Sequence, residues 1–113
     1  MKFEDIKRRI EEILKSYDCI KILKYEDLGN NEGVFLVGYK KDVVGKYSND
    51  LDTDVFTYDI WFDCEDIDLV DCNGYGFDHI NAKSPYRSIK AMFDQTFSNE
   101  SVEYNIKAYY GEV

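Results

Sequence analysis

Three carboxylates at alternate positions, Asp50, Asp52 and Asp54, are the first residues whose spacing suggests chemistry. Alternate acids open a calcium loop, which then needs glycine at its sixth position and a bidentate glutamate at its twelfth. Counted from Asp50, those positions hold Val55 and Trp61, so the loop is not completed. With Thr53 the same run matches part of a DxDxT phosphatase string, which requires a larger α/β scaffold and an apolar strand before it. The single histidine, His79, stands beside Asp78. A fold can bring such a residue to Cys64 or Cys72 as a thiol–imidazole pair. No motif surrounds either cysteine, and His79 reads more simply as a surface residue closing an acidic loop. Gly74 and Gly76 complete no phosphate-binding loop, and no Cys/His spacing fits zinc. Paired carboxylates for acid–base work need only proximity, a condition that selects nothing among so many acids. The sequence therefore predicts no catalytic residue, no metal and no cofactor.

What it does predict is a charged surface. Tyr47 to Ala82 holds ten acids, Asp50, Asp52, Asp54, Asp59, Asp63, Glu65, Asp66, Asp68, Asp71 and Asp78, and no Lys or Arg. Residues 1–46 carry ten bases against nine acids, and residues 83–113 carry four against four. The three segments contribute +1, −10 and 0, so the whole net charge of −9 resides in this one stretch. Acids two apart on a strand point the same way and stand about 6.6 Å apart. Asp50/Asp52/Asp54, Asp59/Asp63 and Asp66/Asp68 form such rows if extended, at a spacing of the order of neighbouring phosphates on a nucleic-acid strand. Rows of like charge repel and destabilise a fold, so their persistence without a neutralising base suggests use. The plain alternative is that the acids only solvate the outer face of a sheet. Trp61, on the Asp59/Asp63 side, with Tyr75 and Phe77 in a glycine loop, would supply the apolar anchors that acids lack.

At 113 residues the chain has the size of one domain, read as 1–113. An aromatic share of 16% argues for a packed core despite the charge. The acidic balance argues against direct binding to nucleic acid and against adsorption to anionic membranes, both of which need basic surface. Cys19, Cys64 and Cys72 are an odd number without CxxC spacing, which reads as reduced thiols. No signal peptide and no membrane-length apolar run is present, and the expected location is cytoplasmic.

The elements that must position this surface follow from periodicity. Phe3, Ile6, Ile10, Ile13, Leu14 and Tyr17 predict a helix over 3–17. Strands are predicted over 19–25, 34–39 (the central one), 54–64 and 67–72, with a turn at 29–33. On the third strand Phe56, Tyr58, Ile60 and Phe62 share one face, Thr57, Asp59 and Trp61 the other. Ser84 as N-cap and Pro85 at the first helical position start a helix to about 97. Val102, Tyr104, Ile106, Ala108 and Tyr110 alternate as a last strand. The expected class is α+β: a single, mainly antiparallel sheet of about five strands in the order α-β-β-β-β-α-β, with the helices on one face.

Together these features predict a small, acidic, non-enzymatic binding or inhibitor protein. It would occupy a basic groove of a protein partner, such as the nucleic-acid-binding groove of a nuclease. The expected contact residues are Asp50, Asp52, Asp54, Asp59, Trp61, Asp63, Glu65, Asp66, Asp68, Tyr75 and Phe77. In type, small acidic α+β chains of this kind resemble phage-encoded anti-CRISPR and anti-restriction proteins, whose location would be the host cytoplasm. The resemblance is one of size, charge and class, not of motif, and it implies nucleic-acid mimicry. Immunity proteins that neutralise nuclease toxins use the same physics and are the first alternative. A small metal-dependent or Cys/His enzyme built on Asp50, Asp52, Asp54, Cys64 and His79 is the second. An oligomerising domain with Tyr104, Ile106, Tyr109 and Tyr110 on an edge strand is a third.

Overall fold

The computed structural model describes residues 2–112. Its elements are helix α1 (Phe3–Lys15), strands β1 (Ile20–Gly29) and β2 (Glu32–Tyr39), a single helical turn α2 (Lys41–Val44) and a 3-10 turn (Asp54–Phe56). Strands β3 (Thr57–Phe62), β4 (Asp66–Val70) and β5 (Gly76–Asn81) follow, then helices α3 (Tyr86–Phe97) and α4 (Asn99–Tyr109). The five strands form one antiparallel meander in chain order, β1-β2-β3-β4-β5. The α+β class and the five-stranded antiparallel sheet are as the sequence predicts, with β3 rather than β2 at the centre.

The first hairpin turns on Asn30 and Asn31, whose φ values of 54° and 60° suit Asn's tolerance of the left-handed region. Cross-strand partners share a face, so the register sorts the sheet into two sides. Phe35, Ile60 and Leu69 align on one side, as do Val37 with Tyr58 and Phe62 with Ile67. Against them pack Ile6, Ile10 and Ile13 of α1, Ile89, Phe93 and Phe97 of α3, and Val102 and Ile106 of α4, in one continuous core. Phe3 stacks on Phe62 at 5.1 Å, and Tyr58 meets Phe97 edge-on at 5.6 Å. One polar staple crosses this core. The buried Tyr39 hydroxyl donates to the Thr96 carbonyl at 2.9 Å and accepts from Asn105 Nδ2 at 2.9 Å. It ties β2 to both α3 and α4.

Several local expectations are corrected. Residues 99–109 are helical, not a strand. The Ser98 hydroxyl caps the helix by accepting from the Ser101 N–H. Only Val102 and Ile106, one turn apart, are buried, while Tyr104 is 61% exposed. A strand would place all three on one face. Tyr109 and Tyr110 therefore end a helix and form no edge strand. The fifth strand comes instead from 76–81, so both long helices after it follow the whole sheet and the order is not α-β-β-β-β-α-β. The third strand begins at Thr57, because 54–56 coil into a 3-10 turn. Pro85 is itself the cap position of α3, and the Ser84 carbonyl accepts a hydrogen bond from the Arg9 guanidinium.

Candidate partner-binding face

The helices cover one side of the sheet and leave the other open. Register places Lys21, Lys24 and Glu26 of β1, Val34 and Leu36 of β2, Asp59 and Trp61 of β3, Asp68 and Val70 of β4 and His79 of β5 on that open side. Trp61 is directly opposite Val34 on one flank and Asp68 on the other. It is 42% exposed, whereas the adjacent Phe62, on the core side, is 4% exposed. Asp59 is two residues before Trp61 on the same strand, so the two side chains share a face. Shallow depressions lie on either side of the indole. One, of about 180 Å³, is lined by Lys24, Glu26, Val34, Leu36, Asp59 and Trp61. The other, of about 480 Å³, includes Asp63, Asp66, Asp68 and Val70 with Trp61.

The charges of this face are arranged from edge to edge. On β1, Lys24 lies 3.9 Å from Glu26. On the β4–β5 side, the His79 ring nitrogen Nε2 is 2.9 Å from Asp66 and 3.9 Å from Asp68. The hydrogen bond to Asp66 raises the His79 pKa above its ordinary value, and the neighbouring carboxylates add to it. Asp59 is half-buried, and loss of water around its carboxylate pushes its pKa up. It has no hydrogen-bond or ion-pair partner among the described residues.

The structure divides the acids expected to act together. Asp59, Trp61, Asp66 and Asp68 do share the open face. Asp63 and Glu65 form the turn at one end of it, where the Asp63 carboxylate accepts the N–H groups of Glu65 and Asp66 at 2.7 and 2.8 Å. Asp63 is thus bound up in holding the β3–β4 turn. Asp71 does the same for the β4–β5 turn, accepting from Asn73 and Tyr75. Asp54 lines a separate hollow with Lys21, Leu23 and Lys41. Asp50 and Asp52 lie apart, at the end of α4. The Tyr110 hydroxyl donates to the Asp50 carbonyl, and partial loss of water around the Tyr109 hydroxyl, with the nearby Asp52 and Asp50 charges, raises its pKa. The extended row Asp50/Asp52/Asp54 does not form. Tyr75, 69% exposed, sits in the β4–β5 turn, at the far end of β4 from Glu65. Phe77 packs edge-on against Tyr58, on the helix side.

The residues of the enzyme alternative do not converge. His79 is engaged by Asp66, Asp50 and Asp52 lie by the tyrosines of α4, and Cys64 packs against the core. Among the described residues no group of three His, Cys, Asp or Glu is placed to hold a metal ion. Cys19, Cys64 and Cys72 are free thiols. Among the described residues no helix is long and apolar enough to cross a membrane.

Sequence reasoning missed the apolar members of the face, Val34, Leu36 and Val70, and the engagement of His79 with its carboxylates. Strand β2 is apolar on both sides, so alternation could not show which side faces outward. The pairing of His79 with Asp66 depends on register across thirteen residues. Comparison of the chain with protein-family models, curated proteins and solved structures finds no match.

Proposed function

We propose that this protein is a non-enzymatic binding protein that docks the open face of its sheet onto a basic surface of a protein partner. A groove that holds nucleic acid, as in a nuclease, is the partner surface that fits best. One observation carries the reading: Trp61 stands exposed in the middle of an uncovered sheet face, with carboxylates beside it on its own strand and on the next. Exposed tryptophan at the centre of a polar rim is the anatomy of an interface anchor. Carboxylates around it steer a cationic partner and disfavour nucleic acid itself. The contact set is accordingly narrower than the sequence suggests and consists of Asp59, Trp61, Asp66 and Asp68.

The test compares wild type with Asp59→Lys/Asp66→Lys/Asp68→Lys as baits at about 50 mM and about 500 mM salt, where screening separates charge-driven contacts. Nucleic-acid-handling proteins should be held by wild type at low salt, released by added DNA, and absent from the variant. Circular dichroism verifies that the variant is folded. Retention of the same proteins by both baits would sink the reading.

A further inference from the structure

We propose that the side chain this face accepts from its partner is arginine, its guanidinium lying on the Trp61 indole while donating to Asp59 and Asp68. This rests on the reading of the face as a docking site for a basic protein. The geometry supplies what a guanidinium asks for and an ammonium does not. Arginine is planar, weakly hydrated and stacks on aromatic faces while its N–H groups point outward in the plane of the ring. Lysine is a compact, strongly hydrated charge that can sit over a ring or against a carboxylate, but presents no flat surface and no fork.

The two carboxylates are placed for those outward donors. Asp68 is the cross-strand partner of Trp61, and Asp59 precedes it by two on the same strand. Because Asp59 pairs with Val70, Asp59 and Asp68 are diagonal neighbours, with Cα atoms about 7–8 Å apart. One guanidinium donating from both sides fills such a gap. Both acids also retain acceptor capacity. The Asp59 carboxylate has no hydrogen-bond or ion-pair partner among the described residues. The His79 nitrogen sits 2.9 Å from Asp66 but 3.9 Å from Asp68. The nearest base on the β1 side, Lys24, leans to Glu26. A carboxylate without a protein donor is free to accept one from a partner, and charge-assisted bonds to it are the strong kind.

Trp61 is the only tryptophan of the chain, so its fluorescence reports this site alone. The experiment titrates the protein at about 50 mM salt with two peptides, identical except for arginine or lysine at every basic position. The arginine peptide should bind about tenfold more tightly, the scale of one cation–π contact with charge-assisted hydrogen bonds. Asp59→Asn should bring its affinity down to that of the lysine peptide. Asp50→Asn/Asp52→Asn, which removes two charges at the α4 corner against one in Asp59→Asn, should leave the preference intact. Equal affinity for the two peptides would overturn the arginine assignment and leave the basic-partner reading standing. Binding of neither peptide would overturn both. A preference that survives in Asp59→Asn and fails in Asp50→Asn/Asp52→Asn would place the arginine site elsewhere and refute the assignment.

Discussion

Trp61 and Phe62 are adjacent aromatics on β3 and should lose stability to alanine to very different extents. Alanine lowers strand preference at both positions to a similar degree, so the difference between the two variants reports burial. Phe62 is 4% exposed and stacks between Phe3 at 5.1 Å and Phe35 at 5.7 Å. Removing a buried phenylalanine costs about 3–5 kcal/mol, through lost transfer energy and the cavity left behind. That is a large part of the roughly 5–15 kcal/mol by which a domain is stable. It corresponds to a fall in Tm of roughly 15–25 °C for a chain of this size. Trp61 is 42% exposed, and its removal chiefly uncovers Val34 without leaving an enclosed cavity, so Trp61→Ala should cost about 1–2 kcal/mol, well below Phe62→Ala. The assay is thermal unfolding followed by far-ultraviolet circular dichroism, because tryptophan fluorescence is lost in one variant. Isothermal titration with the arginine peptide should show Trp61→Ala binding more weakly while still folded. If Trp61→Ala lowers Tm as far as Phe62→Ala, the indole is core, the sheet face is covered, and the reasoning from an open face fails.

Ile106→Ala should cost about 2–5 kcal/mol as a cavity in the core, whereas Tyr104→Ala should stay within about 0.5 kcal/mol. Similar losses by denaturant unfolding would instead fit a strand carrying both residues on one face. Tyr39→Phe leaves the Asn105 amide and the Thr96 carbonyl without their partner. It should cost about 1–3 kcal/mol with no change in the slope of urea unfolding, and an unaffected midpoint would refute the staple. His79 should titrate above its ordinary 6.5, and Asp66→Asn should move it back down, as followed by the imidazole proton resonances. Since the folded pKa is raised, the pairing stabilises the protein fully below the unfolded value and is lost as pH rises through the folded value. Wild type and Asp66→Asn should therefore differ in Tm on the acid side and converge on the alkaline side. A wild-type midpoint at or below 6.5 would contradict the contact.

The helix at 3–15 and the two faces of β3 were legible because each is a local repeat. Period 3.6 in Ile6, Ile10 and Ile13, and period 2 in Tyr58, Ile60 and Phe62, require no knowledge of partners. The segment 99–109 defeated the same method. Val102, Tyr104 and Ile106 satisfy an alternating template, yet Val102 and Ile106 also satisfy a helical one. The choice fell to the Ser98 cap and to the floor offered by α3 and the sheet. Asp63 and Asp71 were read as charge because an acid in a turn looks in sequence like an acid on a surface. Their carboxylates are occupied by backbone N–H groups two to four residues on, an arrangement set by turn geometry.

By itself the sequence determined the class of fold, the outward phase of Asp59 and Trp61, and the confinement of the net charge to residues 47–82. These follow from composition and from periodicities that a chain carries along its own length. Tertiary structure decided which of those acids act together. Register set Asp68 between Trp61 and His79, with Asp66 within diagonal reach of the imidazole, and the loop before β3 put Asp50 and Asp52 at the end of α4. Packing all three long helices on one side left the other side open. Each of these outcomes is a relation between segments distant in sequence, fixed by hydrogen-bonded pairing and by where the core closes, and no single stretch of the chain encodes it.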